Sequence, residues 1–257
     1  MPAGYAHYIF GQKVLNKLKP ETKELINRNI DLYNIGVHGP DILFYYNPLS
    51  KNKVNQLGSQ MHREEAYHFF EFAKEVIKNS KDKEASIAYV YGFITHFTLD
   101  HTCHHYVGEV EKETGLTHLE IESELDRAIL VKNHLNPLTT SLTTHIHPNH
   151  YVSKIISPFF HLEEKDIYKA LKDLLLYLGL IKAPGKIKRN MVYLGMKIGG
   201  IYHSHRGLLI NYEPNEKATD GIKELLNKLN NSVDIAVKLI EEFLDNKLDD
   251  IYHNDFE

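Results

Sequence analysis

One stretch narrows the possible folds more than any other. From Lys83 to Thr114 the sequence reads as a single long helix, with Gly115 as its stop. Its middle carries Phe93, Ile94, Phe97 and Leu99, an apolar surface suited to burial. The same turns carry His96, Asp100 and His104. A step of four residues advances only about 40° around a helix, so these three side chains share one side. Such a helix needs neighbours to cover its apolar surface. Its ionisable groups need compensation, because burying them bare is costly, and a metal ion supplies it.

Helical periodicity dominates elsewhere too. Helices are expected over about 3–18 (ending at Pro20), 21–35 (stopped near Gly36) and 61–79, with apolar positions at Ala66, Phe69, Phe70 and Ala73. GVHGPD reads as a loop, since Gly and Pro both break regular structure. A fifth helix starts near Thr117, a good N-cap before His118. Residues 134–158, rich in Thr, Pro and His, read mainly as loop. Helices are then expected over 163–180, 188–201 and 216–248. No stretch sustains the alternation of a strand-rich domain. With no repeat and no clear linker, the expectation is one all-α domain over 1–257, with a helical extension of unassigned role over 130–257.

Charge and composition exclude several classes. The chain has 257 residues and a formal net charge of −4, with no long run of one sign. Nothing electrostatic points to nucleic acid or an anionic membrane, and no strongly basic amphipathic helix stands out. No apolar run approaches the roughly 20 residues that span a bilayer. The N-terminus lacks the pattern of a signal peptide, so a cytoplasmic location is expected. The single cysteine, Cys103, excludes an internal disulfide framework and a cysteine-based zinc finger, and reads as a packed thiol.

Histidine is the compositional departure: seventeen residues, five of them between 96 and 118. Histidine is the commonest metal ligand. His118 and Glu122 repeat the four-residue spacing on the next helix, and imidazole nitrogen with carboxylate oxygen is the donor set of catalytic zinc. Upstream candidates are His7, Asp41 (on the loop after Gly39-Pro40) and His62. His105 is an alternative to His104, and His101 points about 100° away from Asp100. His38 reads as a loop histidine facing solvent, with lining the pocket as the alternative. His145, His147 and His150, like His203 and His205, read as ordinary loop residues that could bind adventitious metal. Tyr45 and Tyr46 read as core residues, or as walls of a substrate pocket.

With these residues in place, the chain resembles the zinc-dependent phospholipase C family, related in fold to the fungal single-strand nucleases. The resemblance rests on His7 in YAHYIFG, Asp41 in GPDI and His62 in QMHRE, followed by His96, Asp100, His104, His118 and Glu122. The family pattern is His-x3-Asp, a histidine, thirteen residues, then His-x3-Glu, and LDHTCHHY matches the form common among bacterial members. The resemblance covers about residues 1–125. It implies a multi-helix bundle around a di- or trinuclear zinc site. Asp41, His62, His96 and Asp100 would hold one zinc, and His104, His118 and Glu122 a second. His7 and a bridging Asp100 would hold a third, which in secreted members is completed by an N-terminal tryptophan. This chain has no Trp and begins Met1-Pro2, where Pro2 could offer an amine if Met1 is removed, so the third site stays open. The resemblance also implies Asp41 as base toward the attacking water.

The expected activity is therefore zinc-dependent hydrolysis of a phosphate ester, with a phospholipid or a small phosphodiester as substrate. A phosphodiesterase acting on nucleotides and a non-catalytic zinc-binding scaffold are the alternatives. Other helical metalloenzymes fit less well. A His-Asp phosphohydrolase needs a His-Asp dipeptide, which is absent, and a zinc protease helix needs His-Glu-x2-His, also absent. A di-iron bundle needs two Glu-x2-His motifs, and only Glu65 with His68 supplies one. Oligomeric state is not legible.

Overall fold

The computed structural model describes residues 4–245 and 248–256. Its α-helices are α1 (Gly4–Lys17), α2 (Pro20–Arg28), α3 (Ile30–Gly36), α4 (Lys53–Met61), α5 (Ala66–Asn79), α6 (Lys83–Thr114) and α7 (His118–Lys132), then α8 (His150–Ile156), α9 (Glu164–Ile181), α10 (Lys186–Ile198), α11 (Tyr202–His205), α12 (Thr219–Asn231) and α13 (Val233–Glu242). No strand occurs among the described residues, so the architecture is all-α as expected.

The long helix α6 has the limits its sequence suggests. Asp82 caps its start by accepting from Ala85 N, and Gly115 ends it in the left-handed region. At α7, Thr117 and Glu120 form a reciprocal capping box. Other expectations need correction where polar side chains intervene. The helix expected over 21–35 is two, because Asn29 leaves helical geometry and its amide donates to Leu25 O. The helix expected over 216–248 breaks at Ser232, whose hydroxyl donates to Leu229 O. The one expected over 61–79 starts only at Ala66 and is preceded by α4, which Asn52 caps. Within the supposed loop 134–158, Asn149 starts α8 by accepting from Val152 N. The loop around Pro40 is a 3-10 helix over Gly39–Tyr45. Ala3 and residues 246–247, included in two of the expected helices, lie outside the described residues.

Helix α6 is the axis of the fold. Helices α1, α3, α5, α7, α12 and α13 all pack on it. One hydrophobic cluster runs from Tyr5 through Phe93 and Phe97 to Phe256. A smaller one, around Ala183, Met196 and Leu209, underlies α10. The closest approach is between α3 and α6, where two glycines face each other. A Cβ on Gly92 would lie 2.2 Å from Tyr33 O and 2.9 Å from Gly36 Cα, both backbone atoms that cannot yield.

This contact is testable. Gly92→Ala should destabilise the protein by about 3 kcal/mol, because overpacking here must push two helices apart. Urea unfolding measures it, and an unchanged midpoint would show that the helices are not held this close.

Candidate metal centre

Four separate segments deliver the candidate ligands to one side of α6. His96 and Asp100 come from α6 itself, and His7 from the second turn of α1. Helix α1 is held in place by Asp126 of α7, which accepts from Ala6 N at 2.8 Å and Tyr5 N at 3.3 Å, directly before His7. Asp41 arrives on the 3-10 helix. Gly39 has φ +49°, and a Cβ there would lie 2.1 Å from His96 Cδ2, so only glycine lets this segment press against the imidazole. His62 follows α4. Its Nδ1 donates to Gly58 O at 2.7 Å, which leaves Nε2 facing the centre.

The result is a compact buried cluster. His7, Asp41, His62, His96 and Asp100 are each at most 5 % exposed. Candidate ligand atoms of His7, Asp41 and His96 lie within 4.8 Å of one another, as do those of His62, His96 and Asp100. Asp100 presents Oδ1 to His7 Nε2 and Oδ2 to His96 Nε2, both at 3.1 Å, so its oxygens face two different imidazoles. His62 Nε2 lies 3.0 Å from Asp41 Oδ1. Yet His62 Nε2, Asp41 Oδ1, His96 Nε2 and Asp100 Oδ2 are buried without an acceptable hydrogen bond. Their separations are short, but the angles are not those of hydrogen bonds, and the atoms lie close enough together to share one ion. Buried polar atoms are ordinarily satisfied. A bound cation would resolve this set, and its nitrogen and oxygen donors suit zinc.

The second trio lies alongside. His118 Nε2 is 3.3 Å from Glu122 Oε1, and the rings of His104 and His118 are 4.7 Å apart. A cavity of about 20 Å³ is lined by His104, His118 and Glu122 together with His7 and Asp100, so it sits between trio and cluster. That is room for a single water or ion. Among the described residues the trio is drawn in less tightly than the two groups of the cluster. Half-buried His104 lines the cavity, whereas His105 points into solvent beside Glu109. His101 stacks on Phe97. Cys103 lines the same cavity, and burial pushes its thiol up to about 12, with Asp100 adding to the effect. It is a packed thiol. The Met1-Pro2 terminus lies outside the described residues.

The expectation of solvent-facing loop histidines fails at two positions, and at His38 the alternative of lining a pocket holds. His38 and His145 are buried, with their Nε2 atoms 2.8 Å apart, and Tyr8 stacks on His145 at 3.9 Å. One ring must donate and the other accept. Burial is the main force holding both below the ordinary imidazole range, His145 at about 4, and neighbouring imidazoles add to it. His38 borders a small cavity that also touches Gly4, Asp41, Tyr45, Leu142 and Leu178. His147 and His150 are exposed and pair with Asp31 and Glu164. Tyr45 walls the same cavity, whereas Tyr46 donates to Asp166. The C-terminal segment was also missed. Phe256 is buried against the rings of His62, His96 and Phe97.

The electrostatics follow from burial and proximity. Burial pushes His62 down, but the carboxylates of Asp41 and Asp100 outweigh it and raise the imidazole to about 9. For His118, burial is likewise outweighed by Glu122, with Glu111 and Asp100, again to about 9. Burial pushes Asp41 up, and the nearby His96 and His62 pull it well below the usual carboxylate range.

The family model described as zinc dependent phospholipase C matches residues 6–177, more than half of the chain. No curated protein and no solved structure matches the chain.

Two outcomes follow from the geometry. Replacing Asp100 with Ala should remove more than one equivalent of zinc by elemental analysis, because its two oxygens face different imidazoles. Loss of one equivalent at most would remove the bridging role. Metal-free protein should hold His62 and His118 protonated at neutral pH, while zinc requires neutral imidazoles. Zinc addition should therefore release protons into weak buffer. A raised histidine pKa stabilises the metal-free fold below pH 6.5, and that contribution fades as pH rises through about 9. Zinc affinity climbs over the same window. The zinc-induced rise in Tm should accordingly grow between these pH values, and a rise that shrinks would refute the proton competition.

Proposed function

The chain belongs to the zinc-dependent phospholipase C family, and from that premise we propose that it is a zinc-dependent phosphodiesterase acting on a phospholipid. One observation carries the reading: buried nitrogen and oxygen atoms of His62, Asp41, His96 and Asp100 converge without hydrogen-bond partners beside a cavity bordered by His118 and Glu122. We assign Asp41, His62, His96 and Asp100 to one zinc and His104, His118 and Glu122 to a second. His7 with Asp100 forms the remaining position. The closeness of His7 to Asp41 and His96 supports including it in the cluster. The hydrophobic core that links α1 to Phe256 supports treating the chain as one domain.

Bound zinc supplies Lewis-acid chemistry, acidifying water and offsetting charge on the phosphate oxygens. The protein's own groups do the rest. Asp100 and Glu122 provide the anionic field that retains the cations. Asp41 lines the separate small cavity shared with His38 and Tyr45, and from there its carboxylate would accept the proton of the attacking water. The neutral His38–His145 pair adds no positive charge beside Asp41.

The surroundings favour a lipid over a nucleotide. A pocket whose apolar wall is formed by Leu138, Leu142, Leu178, Ile181, Leu208 and Ile210, and whose polar side includes Asp126, Lys182 and Arg189, shares Leu142 and Leu178 with the cavity that touches Asp41. The aliphatic wall suits an acyl chain, and no aromatic ring lines the pocket for a base to stack on.

Hydrolysis of a chromogenic phosphodiester and of phosphatidylcholine, before and after chelation, tests the reading. Turnover should vanish on chelation and return with zinc. Asp41→Asn should lower kcat by about 10²-fold or more. Full zinc content without turnover on either substrate would favour the scaffold reading instead.

A further inference from the structure

Helix α10 exposes an apolar face that nothing in the described fold covers. Ile187, Met191, Leu194 and Ile198 are 81, 67, 57 and 80 % exposed. At 100° per residue they fall within about 60° of one another. Lys186 and Lys197 flank this stripe on one side and Lys188 on the other, each about 80–100° away. Arg189 and Met196, on the opposite face, are buried. The helix thus has an inner side packed on the protein, an outer aliphatic stripe, and lysines along both edges.

The charge around it is equally one-sided. From Leu174 through Tyr212 the sequence contains no Asp or Glu, although the whole chain has a net charge of −4. Lys182, Lys186, Lys188, Arg189 and Lys197 all fall in this segment. Among the described residues, none of these five has a carboxylate within 4.0 Å. Lys188 is anchored on Gly179 O and Lys182 O, which ties the helix start to the end of α9. No described helix is long and apolar enough to cross a membrane.

We propose that α10 seats this protein on an anionic lipid surface, with Ile187, Met191, Leu194 and Ile198 inserted among the acyl chains and Lys186 and Lys197 at the headgroups. An aliphatic stripe bordered by long cationic side chains is the arrangement of interfacial helices, in which lysine stems lie along the apolar surface while their charges stay in the headgroup layer. A protein partner with an acidic rim could match the charge. The four flexible aliphatic side chains, with no aromatic anchor among them, suit a fluid acyl layer better than a shaped pocket. This corrects the expectation from sequence that no strongly basic amphipathic helix is present. The helix expected over 188–201 spans Lys186–Ile198 instead, which adds Lys186 and Ile187 to it.

The proposal does not depend on hydrolysis and is tested by binding alone. Zinc-loaded full-length protein is sedimented with vesicles of phosphatidylcholine or of phosphatidylcholine with phosphatidylserine. Binding should appear with the phosphatidylserine vesicles, be about tenfold weaker on phosphatidylcholine alone, and fall as salt is raised. The double variant I187S/I198S should lose about tenfold in affinity, and so should K186E/K197E, which leaves the Lys188 anchor intact. Zinc content and Tm of both variants should match the parent, so that lost binding reports on the surface and not on unfolding. Binding that survives I187S/I198S, or no sedimentation with phosphatidylserine vesicles, would overturn the proposal. A dimer dissociated by I187S/I198S without any vesicle binding would assign the face to a second copy and overturn it equally.

Discussion

The carboxylate of Asp100 sits in the interior of α6, and much of the molecule is arranged around it. A carboxylate so deep is costly on its own, with an effective penalty of several kcal/mol after relaxation. Here it meets His7 on one oxygen and His96 on the other, with His62 at 3.9 Å. These imidazoles are themselves buried and incompletely hydrogen-bonded. They reduce the cost without removing it, and a divalent cation held there would turn the cluster from a liability into an organising element. The segments that carry these ligands are brought to α6 by the helices that pack on it.

Supporting contacts explain how loosely connected segments reach that precision. Asp126 fixes the first turn of α1, and with it the angle at which His7 enters. Gly39 brings the segment carrying Asp41 into contact with the His96 ring. Gly58 O orients His62 from behind. Phe256, nearly two hundred residues from His62 in sequence, closes the back of the His62 and His96 rings and donates its N–H to His62 O. The C-terminal part of the chain thus helps to build the cluster whose candidate ligands lie in the N-terminal half.

Legibility from sequence divided along the range of the interactions. The limits of α6, its inward polar stripe and the N-cap of α7 at Thr117 depend on residues within a turn of one another, and local sequence exposes them. So does the relation between His118 and Glu122. The breaks at Asn29 and Ser232 are local too, but single polar side chains bonding to carbonyls within the preceding turn are weak signals inside strong periodicity. His38 and His145 could not be read. Each looks like an ordinary loop residue until the fold sets them 2.8 Å apart across 107 positions of sequence.

The sequence by itself determined the all-helical character, the side of α6 that carries His96, Asp100 and His104, and the donor chemistry that favours zinc, because each is set by residue type and local spacing. The tertiary structure alone decided which side of α10 faces outward, which histidines became a buried neutral pair, and how Phe256 and Asp126 hold the ligands in position. A helical pattern shows that a face is apolar. Only packing against distant segments decides whether that face is buried in the protein or left for something outside it.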